Sequence, residues 1–203
     1  ACTLMIGVAA FAMAGVPDLE ESTAAPAFNT GLISLYNLPN GGGQAFNNAR
    51  YWNGTSSDIV DATITLTVLD QFLNPVVLYP FEDMWLESRD GGMYLCPGGS
   101  VADASTDING QTTWTVPLRT GGFSEDLLQV VINGSALTSD AGMAIKVNSA
   151  DINGSGQVEL GDVTITSPSN GEALVYNSTS GLWENSTVSA SVAALDDIGD
   201  VDT

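Results

Sequence analysis

Oxygen-bearing side chains recur through the run Asp151-Ile-Asn-Gly-Ser-Gly-Gln-Val-Glu-Leu-Gly-Asp162 at spacings that could gather them around one hard cation. Asp151, Asn153, Ser155, Glu159 and Asp162 occupy positions one, three, five, nine and twelve of the run. The Gln157 carbonyl supplies a further oxygen, and Gly156 stands where a calcium loop turns sharply. Bound calcium is therefore one reading of this segment, and an ordinary Asn-Gly turn is the other.

The remaining chemistry is sparse. With no histidine in the chain, the commonest general base and the commonest zinc ligand are both missing. Carboxylate pairs could still hydrolyse glycosides, but no Asp/Glu pair stands out from the acidic residues scattered through loops. The expectation is that the protein is not an enzyme and requires no cofactor. Cys2 and Cys96 are the two cysteines, and they would pair in an oxidising compartment or stay as thiols in a reducing one. Asn53, Asn133, Asn153, Asn177 and Asn185 each begin an N-x-[ST] glycan acceptor pattern. Their turn-forming dipeptides allow a second explanation. Together they favour an exported protein, extracellular or at a cell surface, carrying covalent glycans.

Charge narrows the partners. Against 24 acidic residues stand only Arg50, Arg89, Arg119 and Lys146, a formal net charge of -20. Phosphate backbones and anionic lipid heads are recruited by clustered Lys and Arg, so nucleic-acid binding is not expected. The acidic surplus serves solubility or attracts divalent cations. The uncharged stretch Thr3 to Val16 (TLMIGVAAFAMAGV) falls short of the roughly 20 residues that span a bilayer as a helix, so no membrane insertion is expected. It reads as the remnant of a secretory signal, as a segment buried in its own domain, or as a donor strand. In the last case Leu4, Ile6 and Val8 would fill pockets of a neighbouring subunit.

The elements that must position these residues are short strands. Ala62 to Leu69 alternates apolar and Thr residues with period two, as a half-buried antiparallel strand requires. Further strands are expected at Val76–Tyr79, Met84–Glu87, Thr112–Leu118, Leu127–Ile132 and Met143–Val147. In Thr112–Leu118, Trp114, Val116 and Leu118 would share a face. Turn signals separate them at Asn74-Pro75, Asp90-Gly91-Gly92, Pro97-Gly98-Gly99, Asn109-Gly110 and Asn133-Gly134. A short helix over Val188–Asp196 is the one helical candidate. Trp85, Trp114 and Trp183 are expected in the core, and Tyr51-Trp52 in a polar loop that could stack on a sugar.

The pattern implies an all-β, antiparallel sandwich, with an N-terminal extended arm and linker over 1–30, the sandwich over 31–150, and a distinct C-terminal part over 151–203. The segments Ala62-Thr-Ile-Thr-Leu-Thr-Val-Leu-Asp-Gln-Phe-Leu-Asn-Pro-Val and Ser105-Thr-Asp-Ile-Asn-Gly-Gln-Thr-Thr-Trp-Thr resemble the bacterial Ig-like repeats of invasins and related adhesins. The first departs from the family pattern, with Phe72-Leu73-Asn74 where a Gly is usual. That resemblance implies a surface stalk or adhesion module. The Asp151–Asp162 run resembles a dockerin-type calcium loop, with Ser155 in place of the usual Asp. The stretch Gly161–Asn185 is similar to repeats of phage and giant-virus tail-fibre proteins, and Ile198-Gly-Asp-Val201 restates Leu160-Gly-Asp-Val163 one period later. Such a repeat implies a β-hairpin unit too small to fold alone, here followed by a second that breaks off. The combined expectation is a subunit of an extracellular homopolymeric fibril or pilus-like filament, assembled by N-terminal strand donation between copies. A monomeric adhesin or carbohydrate-binding module and a tail-fibre component are the alternatives.

Overall fold

A computed structural model describes residues 15–124, 126–139 and 141–158, and the backbone of two further strands, Glu172–Asn177 and Leu182–Thr187. Two compact units are present, one up to Asp162 and one from Val163 onward. Both are built from strands, so the all-β expectation holds.

In the first unit, β1 (Thr23–Pro26), β5 (Ile64–Thr67) and β8 (Gln111–Trp114) form an antiparallel sheet in the order β1-β5-β8. The segment Ser100–Asp103 continues it: Asp103 donates to the Thr113 carbonyl, and the Ala102 and Leu86 amides exchange bonds with Met84 and Ser100. Beyond it lie β6 (Met84–Ser88), β10 (Leu128–Ile132) and β11 (Ser135–Ala136). The facing layer contains β2 (Ile33–Asn37), β3 (Ala49–Trp52), β4 (Ser57–Val60) and β12 (Ile145–Ser149), in the order β12-β2-β3-β4. Bonds from Ser124 to Val147 and a bridge between Phe123 and Asn148 attach β9 (Thr120–Gly122) and β7 (Met93–Leu95) to that layer. One continuous core lies within, including Ile33, Leu35, Phe46, Leu66, Leu86, Trp114, Leu128 and Ile145.

Alternation explains the strands that form. Ala62, Ile64, Leu66 and Val68 are all fully buried, while the intervening threonines lie toward solvent. Three expectations are corrected. Val76–Tyr79 is a turn and not a strand, because Leu78 takes a left-handed φ of 57° and its amide reaches across to the Thr106 carbonyl. The strand through Trp114 stops there: the Asp103 carboxylate captures the Thr115 amide at 2.8 Å, and Val116 turns out to solvent while Trp114 and Leu118 stay buried. The antiparallel rule fails at one pair, since β12 runs parallel to β2, with nearly the whole body of the chain as their crossover.

Thr23–Pro26, inside the segment read as arm and linker, pairs residue for residue with β5. The body therefore begins earlier than residue 31. In the second unit, β13 (Glu172–Asn177) and β14 (Leu182–Thr187) form the antiparallel hairpin that the C-terminal repeat implied. The helix expected at Val188–Asp196 lies outside the described residues.

Candidate functional site

The oxygen-rich loop closes on itself around one carboxylate. Asp151 is fully buried, and its Oδ1 accepts the Ser155 amide at 3.0 Å while its Oδ2 accepts the Gly156 amide at 2.9 Å. Asn153 Oδ1 accepts the Ser155 amide too, at 2.8 Å, and the Ser155 hydroxyl bonds with the Gln157 backbone. The Asp151 carbonyl accepts the Gly122 amide at 2.6 Å, which pins the loop to β9. Glu159 and Asp162 lie outside the described residues.

Two other loops are built on the same plan. Asp70 Oδ1 accepts the amides of Phe72 and Asn74, each at 2.9 Å, and Asp107 Oδ1 accepts those of Asn109 and Gln111, each at 2.8 Å. The third residue after each aspartate takes a left-handed φ: 65° at Leu73, 72° at Gly110 and 72° at Gly154. The turns that carried the Ig-like resemblance are thus one structural device used twice. The Asn74 amide, above all, holds the Asp70 carboxyl below the ordinary carboxylate value, and the Gln111 amide does the same for Asp107. The Asp151 loop repeats the i-to-i+4 bond of these two, so its curl is accounted for by the turn alone. As a donor set it is compatible with calcium, since each carboxylate oxygen retains a lone pair after accepting one amide. Asp151, Asn153, Ser155 and the Gln157 carbonyl would hold the ion, leaving this segment tied to β9.

Three of the glycan acceptor patterns, at Asn53, Asn133 and Asn153, fall on solvent-facing turns, and two lie on strands of the C-terminal hairpin. Asn53 opens the β3–β4 connection, with its amide nitrogen donating to Ser56 Oγ at 3.0 Å and Asp58 Oδ2 at 2.7 Å. Asn133 sits at φ 48° in the turn between β10 and β11, and Asn153 is exposed in the Asp151 loop. Asn177 ends β13, and Asn185 pairs with Leu174 in the hairpin. Cys96 is half-buried at a turn closed by the Gly99 amide; Cys2, Leu4, Ile6 and Val8 lie outside the described residues.

The aromatic residues are redistributed. Tyr51 and Trp52 belong to strand β3, not to a loop, so they face opposite ways and cannot form one platform. Tyr51 packs on Phe28 with ring centres 4.9 Å apart, while Trp52 is 63% exposed. Trp114 is core, as expected, with Nε1 donating to the Ser100 carbonyl at 2.9 Å. Trp85 is not: it lies half-buried on the outer side of β6 and donates to Glu87 Oε1 at 2.6 Å.

Two surface features were not foreseen. One is a groove lined by Ala24, Pro26, Phe28, Ile33, Met143 and Ala144, between edge strand β1 and the parallel β2–β12 pair. The other is the outer face of β12-β2-β3-β4, where Trp52, Arg50 and Lys146 line a shallow depression. The sequence hid both, because each joins residues more than 90 positions apart. Among the described residues no cluster of three or more His, Cys, Asp or Glu side chains is placed to hold a metal, and no helix is long and apolar enough to cross a membrane. Comparison of the chain with protein-family models, with curated protein sequences and with solved structures finds no significant match to any of them.

Proposed function

We propose that the protein is the structural subunit of an extracellular homopolymeric filament, in which the apolar N-terminal segment of one copy seats in the β1-side groove of the next. The observation that carries this reading is the match between that groove and that segment. The groove is lined by Ala24, Ala25, Pro26, Phe28, Met143 and Ala144, with Asn29 and the two glycines Gly31 and Gly142 among them. The segment is uncharged and rich in small residues, with Gly7, Ala9, Ala10, Ala12 and Ala14 among larger apolar ones. Burying it would remove apolar area from water at roughly 25 cal/mol per Å².

Strand β1 adds a partial ladder. It pairs only with β5 among the described residues, so its outer edge offers backbone groups to an added strand. Pro26 has no amide to contribute there, so the ladder would be incomplete and apolar contact would supplement it. Gly15 already rests against Asp70, so the donated segment in this reading is residues 1–14.

The test is electron microscopy of the full chain and of a form lacking residues 1–14, at matched concentration. Filaments from the first and monomers from the second are expected, and Ile6→Asp/Val8→Asp in the full chain should also stop assembly. Filaments that persist without residues 1–14, or a full chain that stays monomeric, overturn the proposal.

A further inference from the structure

The outer face of the four-stranded layer departs from the charge character of the whole protein. Cα partners run Lys146, Ser34, Arg50, Ile59 straight across β12, β2, β3 and β4. Their neighbours on β2, β3 and β12, namely Ile33, Leu35, Ala49, Ile145 and Val147, are buried, so this row points outward. Trp52 lies two residues beyond Arg50 on the same face, opposite Ser57.

Two of the chain's four cations therefore share one surface, and none of the outward positions on these strands is Asp or Glu. The nearest acidic residue in register, Asp58, is the partner of Tyr51 and so has the opposite parity, with its carboxylate already accepting from Asn53 and Ser56. The other two cations are occupied or elsewhere. Arg89 approaches Asp126 at 4.0 Å and donates to the Ala141 carbonyl, and Arg119 lies over Gly41. Arg50 and Lys146 form no ion pair among the described residues.

Spacing converts the row into a recognition surface. Strands lie about 4.8 Å apart, which puts the Lys146 and Arg50 backbones about 10 Å from each other, with Trp52 about 7 Å further along β3. An exposed indole offers an apolar face on which a sugar ring stacks. The guanidinium pairs bidentately with a carboxylate, and the ammonium pairs as a point charge. Ser34, Ser57 and Asn148 line the same depression with hydroxyl and amide groups, and the Asn148 amide orients the Ser34 hydroxyl at 3.1 Å.

From this juxtaposition we infer that the Trp52–Arg50–Lys146 face binds a carboxylate-bearing oligosaccharide. Charge complementarity selects that occupant over other anions. A nucleic acid could gain only two phosphate neutralisations here while the remaining acidic surface repelled it. A second copy would bring its own charge of -20 with any acidic segment it offered. A short acidic glycan brings one or two carboxylates on an otherwise neutral body, and the indole supplies the rest of the contact.

The experiment is calorimetric titration of the full chain with tetragalacturonate, tetramannuronate and sialyllactose, each against its methyl-esterified, uncharged form. At least one acidic sugar is expected to bind, with its ester at least tenfold weaker. Trp52→Ala and the double variant Arg50→Gln/Lys146→Gln should each lower affinity at least tenfold while the β-type circular dichroism spectrum stays intact. A Trp52→Phe variant should restore part of the affinity. No binding by any of the three sugars, binding indifferent to these substitutions, or equal binding of oligoglutamate would overturn the assignment.

Discussion

At the residue scale, the chain uses aspartate as a backbone clip. Asp70 and Asp107 each accept two amides with one oxygen, and an ionised carboxylate does this better than a neutral one. The sign of the pH dependence follows. A carboxyl whose folded value is depressed contributes stability that is fully present above the unfolded value of about 3.9, and that contribution is lost as pH falls through the folded value. The double variant Asp70→Asn/Asp107→Asn should therefore unfold at lower urea than the parent at pH 7, with the gap closing as pH falls below the ordinary carboxylate value of about 3.9. A gap that stays constant as pH falls would mean the clips act through shape and not charge. Trp114 is the other decisive residue: it is buried, with its indole N–H satisfied by Ser100, and Trp114→Ala should cost about 3–5 kcal/mol in chemical denaturation.

At the element scale, the twin loops Asp70–Asn74 and Asp107–Gln111 give opposite expectations at their matching positions. Leu73 holds φ 65° and is 60% exposed. Left-handed backbone costs a non-glycine residue about 1–2 kcal/mol, and glycine gives back about 0.5–1 kcal/mol of unfolded-state entropy. Leu73→Gly should stabilise by about 0.5–1 kcal/mol. Gly110 holds φ 72°, and a Cβ there would lie 2.5 Å from the Val68 carbonyl oxygen, so Gly110→Ala should destabilise by more than about 2 kcal/mol. Urea midpoints for both variants check the pair together.

The same elements show what could be read from the chain. Ala62–Leu69 was legible because its two faces meet different media, core and water. The turn at Asn109-Gly110 was legible because it needs a residue that tolerates φ above zero. Strands β3 and β4 were not: Arg50, Trp52 and Ile59 put long or apolar side chains on the solvent face, which erases the alternation that marks a strand. The Trp52 face was illegible for a second reason. Its parallel β2–β12 pairing brings Lys146 beside Ser34, a juxtaposition that no local pattern encodes.

At the scale of the whole molecule, the net charge of -20 makes the two proposed surfaces respond to salt in opposite directions. Assembly must bring like-charged bodies together, and the apolar contact between groove and N-terminal segment gains nothing from low ionic strength. Raising NaCl from about 10 mM to about 150 mM shortens the screening length from about 30 Å to about 8 Å. The concentration at which filaments appear should fall several-fold over that range, as sedimentation of polymer would measure. Sugar binding at Arg50 and Lys146 depends on attraction between opposite charges and should weaken over the same range. If both processes moved the same way with salt, a single electrostatic surface would underlie them, and the division of labour between the β1 groove and the Trp52 face would be wrong. Opposed responses would separate the surface that joins copies from the surface that meets a ligand.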